Sequence, residues 1–178
     1  MQSIYDFSIT LPNGTDVIPL STFKGKYILI VNVASKCRFN AQLFELQSLY
    51  SQFKDNLVVI GIPCNQFGKQ EPLPNDEIID MYKSTFGTEF ILSRVSTVNG
   101  KNELPLYTFL KNKKKGLLGI NGIKWNFEKF LVNKEGEVTD RYSTNVTPRT
   151  IAKKLEKMSL WYCKYYLLYI FCFVFFFL

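Results

Sequence analysis

Reactive thiols are the first candidates for chemistry in this chain, because it contains four cysteines and no histidine. The absence of histidine excludes Ser-His-Asp and Cys-His catalysis, and any zinc site with an imidazole ligand. The cysteines are Cys37, Cys64, Cys163 and Cys172. No two of them have the CxxC spacing of dithiol oxidoreductases or structural zinc sites, so each is either a reactive thiol or a core residue.

Cys37 lies where a predicted strand is followed by a predicted helix. The run 27–34 is apolar and rich in β-branched residues, which predicts a strand buried on both faces. Apolar residues then recur at helical spacing from Leu43 to Phe53, so we expect a helix that begins just after Cys37. The unpaired N–H groups and partial positive charge of a helix N-terminus favour the thiolate over the thiol. The same position also suits an inert buried cysteine, so it leaves both interpretations open.

Three sequence segments resemble the signature segments of the glutathione peroxidase family. They are VNVASKC at 31–37, PCNQFGKQEP at 63–72 and KWNFEKFLV at 124–132. The resemblance covers nearly all of residues 4–155. It implies a thioredoxin-like fold and a peroxidase that uses cysteine or selenocysteine as its nucleophile.

The resemblance also implies a role for four residues of this chain. Cys37 matches the peroxidatic residue, and Gln70, Trp125 and Asn126 match the three residues that support it. Each of these three side chains carries an N–H donor. Neutral donors aimed at one sulfur stabilise its anion without histidine, and they stabilise the charge that develops on the leaving peroxide oxygen.

The implied activity is the thiol-dependent reduction of hydrogen peroxide and of organic or lipid hydroperoxides, in defence against oxidative stress. The thiolate attacks the O–O bond, which gives a sulfenic acid and releases water or an alcohol, and a thiol then reduces the sulfenic acid. We expect no bound cofactor and no metal, with glutathione or another thiol as the reducing co-substrate. An alternative uses the same residues: a peroxide sensor or relay in which Cys37 passes its oxidation to a partner protein.

The chain departs from the family pattern close to the nucleophile. Arg38 stands where the family usually has glycine, and its charge either favours the thiolate or crowds the site. Relatives that use thioredoxin carry a resolving cysteine in the helix after the NQFG segment, where this chain has Lys83. Cys64 follows a buried strand and is the only resolving candidate within the domain. Glutathione is therefore expected as the reductant, and thioredoxin is less favoured.

The order of predicted elements fits an α/β class, a thioredoxin-like sandwich with a central mixed sheet flanked by helices and an N-terminal β-hairpin. We expect a single domain over residues 1–159. The segment 104–125 is short and lacks the insertion that tetrameric family members use to associate, so a monomer is expected. The elements are a hairpin within 4–19, strands at 27–34, 57–62, 127–133 and 137–142, and helices from just after Cys37 to about 53 and at 75–86, 104–111 and 147–157.

Two features indicate a membrane partner. The net charge is +7, and the cluster Lys111–Lys115 could contact anionic lipid headgroups, although a solvated loop is the favoured explanation for it. No pattern for nucleic-acid binding accompanies these lysines. Residues 160–178 form an almost uncharged hydrophobic run, predicted as a C-terminal helix and transmembrane anchor. The domain would then be cytosolic and tail-anchored to an intracellular membrane, unless the run comes from a wrongly assigned final exon.

Overall fold

The computed structural model describes residues 2–158. The strands are β1 (Ser8–Thr10), β2 (Val17–Pro19), β3 (Tyr27–Val33), β4 (Leu57–Pro63), β5 (Ile91–Leu92), β6 (Lys129–Val132) and β7 (Val138–Tyr142). The α-helices are α1 (Gln42–Phe53), α2 (Asn75–Phe86), α3 (Pro105–Lys113) and α4, which covers 148–158.

Five strands form one mixed sheet in the order β5-β4-β3-β6-β7. The central pair, β3 and β4, runs parallel, with Tyr27 opposite Leu57 and Val33 opposite Pro63. Such a pair needs a crossover, and α1 supplies it. β6 returns antiparallel on the other side of β3, and β7 completes that edge. The hairpin of β1 and β2 forms a separate two-stranded ribbon, as the Asn13-Gly14 turn predicts.

The sheet separates two hydrophobic clusters. Along β3, Ile28 and Ile30 belong to the first cluster, whereas Leu29 and Val31 belong to the second, because alternate side chains of a strand point to opposite faces. The first cluster packs the sheet against α3 and the N-terminal ribbon. The second packs it against α1, α2 and α4. The predicted α/β sandwich with a mixed central sheet is therefore confirmed.

Three local features of the structure were not expected from the sequence. α1 begins at Gln42 rather than just after Cys37, because residues 35–41 form a series of tight turns. β5 has only two residues and gave no recognisable strand pattern. Asn75 is the first residue of α2, and its Oδ1 accepts the backbone N–H of Val95 at 2.6 Å.

The predicted hydrophobic C-terminal helix at 160–178 lies outside the described residues. Within residues 2–158, no helix is both long and apolar enough to span a bilayer.

Candidate active site

Three segments meet at one end of the sheet. Residues 34–41 follow β3 and residues 64–74 follow β4, and the carboxyl ends of parallel strands lie at the same edge. The segment 121–128 precedes β6, whose first residue, Lys129, pairs with Val31 near the end of β3. The three signature segments of the sequence are thus brought together by the pairing of β3 with its two neighbours.

Cys37 lies in the turns between β3 and α1 and is only 1% exposed. Its N–H donates to the Ala34 carbonyl at 3.3 Å, and its carbonyl accepts the Asn40 N–H at 2.9 Å. Since α1 begins five residues later, at Gln42, Cys37 is not in the first turn of that helix. The expected contribution of the helix N-terminus to the thiolate is correspondingly weaker, because this effect falls off within one turn. Side-chain donors become the main candidates for stabilising the anion.

Gln70 and Asn126 are joined directly. Asn126 Nδ2 donates to Gln70 Oε1 at 3.1 Å, and the Gln70 carbonyl accepts the N–H of Lys36, the neighbour of Cys37, at 3.0 Å. In this arrangement the Gln70 oxygen is occupied, which leaves its Nε2 as a donor with two hydrogens. Gly68 makes the arrangement possible, because a Cβ there would lie 3.3 Å from Gln70 Nε2. It also has a φ of +66°, which favours glycine.

Trp125 is the exposed member of the four candidate residues. Its side chain is 38% exposed and stacks in a tilted geometry against Phe67, with 5.9 Å between ring centroids. Asn126, the next residue, is fully buried. The two neighbours therefore face different environments: the indole lies at the surface and the amide lies beneath it.

Asn32 supports the candidate site from within β3, a role that its position in the sequence did not predict. It lies fully buried in β3, donates from Nδ2 to the Trp125 carbonyl at 3.0 Å and accepts the Glu128 N–H on Oδ1 at 3.0 Å. These bonds hold a turn in which Phe127 adopts a φ of +64°, which is strained for a non-glycine residue. The one indication in the sequence is a single amide within an otherwise apolar strand. A polar side chain buried there needs hydrogen-bond partners, which suggests a structural role.

Cys64 lies on the opposite face of the sheet from Cys37. Cys37 belongs to the cluster formed with α1, α2 and α4, and Cys64 to the cluster formed with α3. Both thiols are buried and free. Burial raises the pKa of the Cys64 thiol, so Cys64 is a poor nucleophile at neutral pH.

The helix after the NQFG segment presents a tyrosine to the interior. Lys83 is exposed on α2, whereas Tyr82 is fully buried and lies near enough to Cys37 for the two to interact electrostatically. No thiol occupies the inward face of α2, whose buried residues are Ile78, Tyr82 and Phe86. In residues 2–158 there is also no cluster of side chains that could hold a metal ion.

The predicted lysine cluster is divided by the structure. Lys111 is only 5% exposed, and its ammonium donates to the Val98 carbonyl at 3.2 Å and to Glu103 at 2.5 Å. It therefore cannot contact a headgroup, which corrects the expectation for this residue. Lys113, Lys114 and Lys115 remain exposed. Lys111 is buried because it lies on the inward face of α3, whereas the other three follow at the end of the helix.

Comparisons with known proteins identify the relatives of this chain. The family model "Glutathione peroxidase" matches residues 4–111. The chain is 49% identical over 141 residues to the glutathione peroxidase-like peroxiredoxin HYR1 of Saccharomyces cerevisiae, covering 79% of this chain and 86% of the yeast protein. It is 47% identical over 159 residues to a probable phospholipid hydroperoxide glutathione peroxidase of Nicotiana sylvestris, covering 88% and 93%.

A solved structure shows the same fold. The crystal structure of Trgpx in its apo form superposes with a TM-score of 0.72 at 38% identity, covering 88% of this chain and 94% of that one. The resemblance seen in the three signature segments thus extends through the whole sheet and its flanking helices. The chain belongs to the glutathione peroxidase family.

Proposed function

We propose that this protein is a thiol peroxidase that reduces hydroperoxides, with Cys37 as the nucleophile. The observation that supports it best is the pair of hydrogen bonds that fasten Gln70 to the Cys37 turn and to Asn126. These bonds keep the Gln70 and Asn126 amides next to the turn that carries Cys37, a cysteine that has no histidine to activate it. The names of its relatives are those of peroxidases and peroxiredoxins, so the sensor or relay alternative is not favoured.

The reaction follows from the chemistry of the thiolate. Cys37 attacks one oxygen of the hydroperoxide, the O–O bond breaks, and the leaving oxygen takes a proton to become water or an alcohol. Gln70 Nε2, the Trp125 indole N–H and the second Asn126 N–H are the donors for the developing negative charge. One thiol then condenses with the sulfenic acid, releasing water, and a second thiol attacks the mixed disulfide and restores Cys37.

The position of Cys64 favours a small-thiol reductant. A sulfenic acid on Cys37 can form a disulfide within the chain only if a second thiol lies close by, with the two Cα atoms about 4.4–6.8 Å apart. Cys64 packs on the other face of the sheet, and α2 offers no thiol. Glutathione or a similar thiol therefore supplies both reducing equivalents.

The test compares peroxide consumption by the Cys37→Ser variant with peroxide consumption by the unsubstituted protein. Under the proposal, Cys37→Ser loses turnover with hydrogen peroxide and glutathione, while its urea unfolding midpoint stays close to that of the unsubstituted chain. Persistent turnover in Cys37→Ser would remove this residue from the reaction. A single stoichiometric oxidation without turnover, with glutathione present, would instead indicate the relay.

Lipid hydroperoxides in membranes are a second class of substrate that the surface near Trp125 would suit. The end of α3 and the loop after it carry Lys113–Lys115 and Leu118, which is 89% exposed, and Lys124 lies at the surface next to Trp125. Lysines beside an exposed apolar side chain fit an anionic bilayer, because the charges attract headgroups and the apolar group enters the interface. Arg141 fixes this loop by donating to the carbonyls of Asn121 and Gly122 at 2.9 and 2.8 Å.

The ratio of two activities tests this membrane contact. Replacing Lys113, Lys114 and Lys115 by Gln should lower the rate with phospholipid hydroperoxide in anionic vesicles and leave the rate with hydrogen peroxide unchanged. The matched control replaces the exposed residues Lys24, Lys54 and Lys83 by Gln and alters the net charge equally. An equal loss in both triple variants would show that only net charge matters.

Residues 160–178 are proposed, from sequence alone, to anchor the domain 1–159 to a membrane with the peroxidase on the cytosolic side. Lys164 is the only charge in this run of 19 residues, which as a helix would reach about 28 Å at ~1.5 Å per residue. Full-length protein in cells should resist carbonate extraction, whereas a chain ending at Ser159 should be extracted and remain an active monomer. Extraction of the full-length chain would contradict the anchor and leave the peroxidase proposal intact.

A further inference from the structure

Glu71 is a buried acid next to the site residue Gln70, and it has no cationic partner. It is only 1% exposed, and it takes part in none of the ion pairs among residues 2–158. A carboxylate in such a place must be compensated by hydrogen bonds, because a buried unpaired charge is otherwise very costly. The groups that donate these hydrogen bonds therefore show which segments the Glu71 carboxylate holds in place.

Among residues 2–158, the three groups that donate to the Glu71 carboxylate are neutral, and two of them belong to one residue. The Ser35 N–H reaches Oε2 at 2.9 Å and the Ser35 hydroxyl reaches Oε1 at 2.8 Å. The third donor is the Tyr82 hydroxyl of α2, which bonds to Oε2. Burial, followed by the charge of Glu71, raises the pKa of Tyr82, so this hydroxyl keeps its proton and remains a donor throughout the physiological range.

These bonds align two chain segments residue by residue. Ser35 is fastened to Glu71, and the next residue, Lys36, is fastened through its N–H to the carbonyl of Gln70. The Glu71 N–H is held in turn by Asn65 Oδ1 at 3.0 Å, which closes the loop that carries Gln70. The segment that bears the nucleophile and the segment that bears its amide donor are therefore joined at two consecutive positions just before Cys37.

We propose that Glu71 is a positioning residue for the peroxidase reaction, whose buried carboxylate fixes the Cys37 thiolate relative to the Gln70 amide. The inference rests on the proposed roles of Cys37 and Gln70 and adds the residue that sets their separation. Glu71 acts through Ser35 and the backbone of the turn, and does not touch the peroxide. A misplacement of about 1 Å between reacting groups costs up to ~100-fold in rate. Loss of the hydrogen bonds to Glu71 should therefore lower the peroxide rate measurably.

A double-mutant cycle on Glu71 and Gln70 tests the proposal. Glu71→Gln keeps the shape of the side chain but loses the charge and one acceptor oxygen. We expect the second-order rate of reduced protein with hydrogen peroxide to fall about 10- to 100-fold in Glu71→Gln. In the Gln70→Ala background the same change should cost less than about threefold, because the donor that Glu71 aligns is already absent.

Alkylation of Cys37 by iodoacetamide separates positioning from loss of the thiolate. This reaction needs the thiolate but not the Gln70 amide, so its rate at the plateau of each pH profile should be nearly equal in Glu71→Gln and the unsubstituted chain. Losses that simply multiply in the double variant, or an unchanged peroxide rate in Glu71→Gln, would overturn the proposal. So would an alkylation rate that falls in parallel with the peroxide rate.

Two further variants keep the test decisive if Glu71→Gln does not fold. Ser35→Ala retains the backbone bond to Glu71 and loses only the hydroxyl, so we expect a smaller loss of peroxide rate that again depends on Gln70. Tyr107→Phe, a loss of one buried hydroxyl on α3 at the opposite face, is the control and should leave the rate unchanged. If Gln70→Ala itself reacts at the full rate, the proposed function of Gln70 fails, which is a different outcome from failure of Glu71 alone.

Discussion

Cys37 and Cys64 are buried on opposite faces of the same sheet, at the ends of the adjacent parallel strands β3 and β4. The short separation of these strands in the sheet therefore does not bring the two thiols together, because their side chains point into different clusters. Cys64 is therefore not placed to react with Cys37, which the positions of the two residues in the sequence do not reveal.

We predict that Cys64→Ser retains most of the peroxidase activity with glutathione. The physical reason is that Cys64 cannot reach Cys37 without opening the sheet, so it does not resolve the sulfenic acid. Steady-state turnover measures the activity, and mass spectrometry of peroxide-treated protein without glutathione should show no bond between the two cysteines. A large loss of turnover in Cys64→Ser, or a disulfide between Cys37 and Cys64, would contradict this.

Gln70→Ala should slow the peroxide step more than Trp125→Ala does. Loss of one preorganised donor costs about 10²–10³-fold in comparable oxyanion sites. Trp125 is 38% exposed, so solvent water can replace its N–H and we expect a loss nearer to tenfold. Stopped-flow rates with hydrogen peroxide give both values, and urea unfolding should show that the two variants remain folded. The reverse order would mean that the indole is the main donor.

Elements with a regular hydrophobic period and segments that match a long motif could be predicted from the sequence. Residues whose role depends on single side-chain contacts could not. The buried strands β3 and β4, the hairpin and the amphipathic helices follow from periodicity, and the structure has them within a few residues. Asn32 and Glu71 were missed because their importance comes from partners 36–96 residues away in the chain. The exposure of Lys111 was also not predictable, since only the helix register on α3 decides which lysine faces inward.

Lys111→Met should destabilise the fold, although in the sequence Lys111 lies close to three surface lysines. Lys111 is 5% exposed, and its ammonium donates to the Val98 carbonyl and to Glu103, whose pKa it helps to lower. Removing one partner of a buried pair costs about 3–5 kcal/mol when the other is fully buried, and Glu103 is slightly exposed, so we expect roughly 2–3 kcal/mol. Urea unfolding measures this, with Lys113→Met as the control that should change stability by less than about 0.5 kcal/mol.

The last prediction concerns Lys129, which lies fully buried in β6 directly after the site segment. Its ammonium donates to the Phe127 carbonyl at 2.7 Å and to the Val146 carbonyl at 2.8 Å, so it ties the strained Phe127 turn to the segment before α4. Burial lowers the pKa of Lys129 to about 7 from its usual 10.5, while the charges of Glu45 and Glu128 oppose the shift. The folded protein therefore releases this proton at a lower pH than the unfolded chain does.

The sign of the pH dependence follows from that difference. Between about pH 7 and 10.5 the unfolded chain holds the proton that folded Lys129 has lost, so this residue makes the free energy of unfolding rise with pH. The rise is at most ~1.4 kcal/mol per pH unit. Lys129→Met removes the titrating group, so the unsubstituted chain should gain stability relative to it as the pH rises from 7 towards 10. Urea unfolding of both proteins across this range gives the difference directly, and titration of other residues cancels in it. A difference that stays constant with pH would show that folded Lys129 keeps its proton throughout, held by its two carbonyl partners.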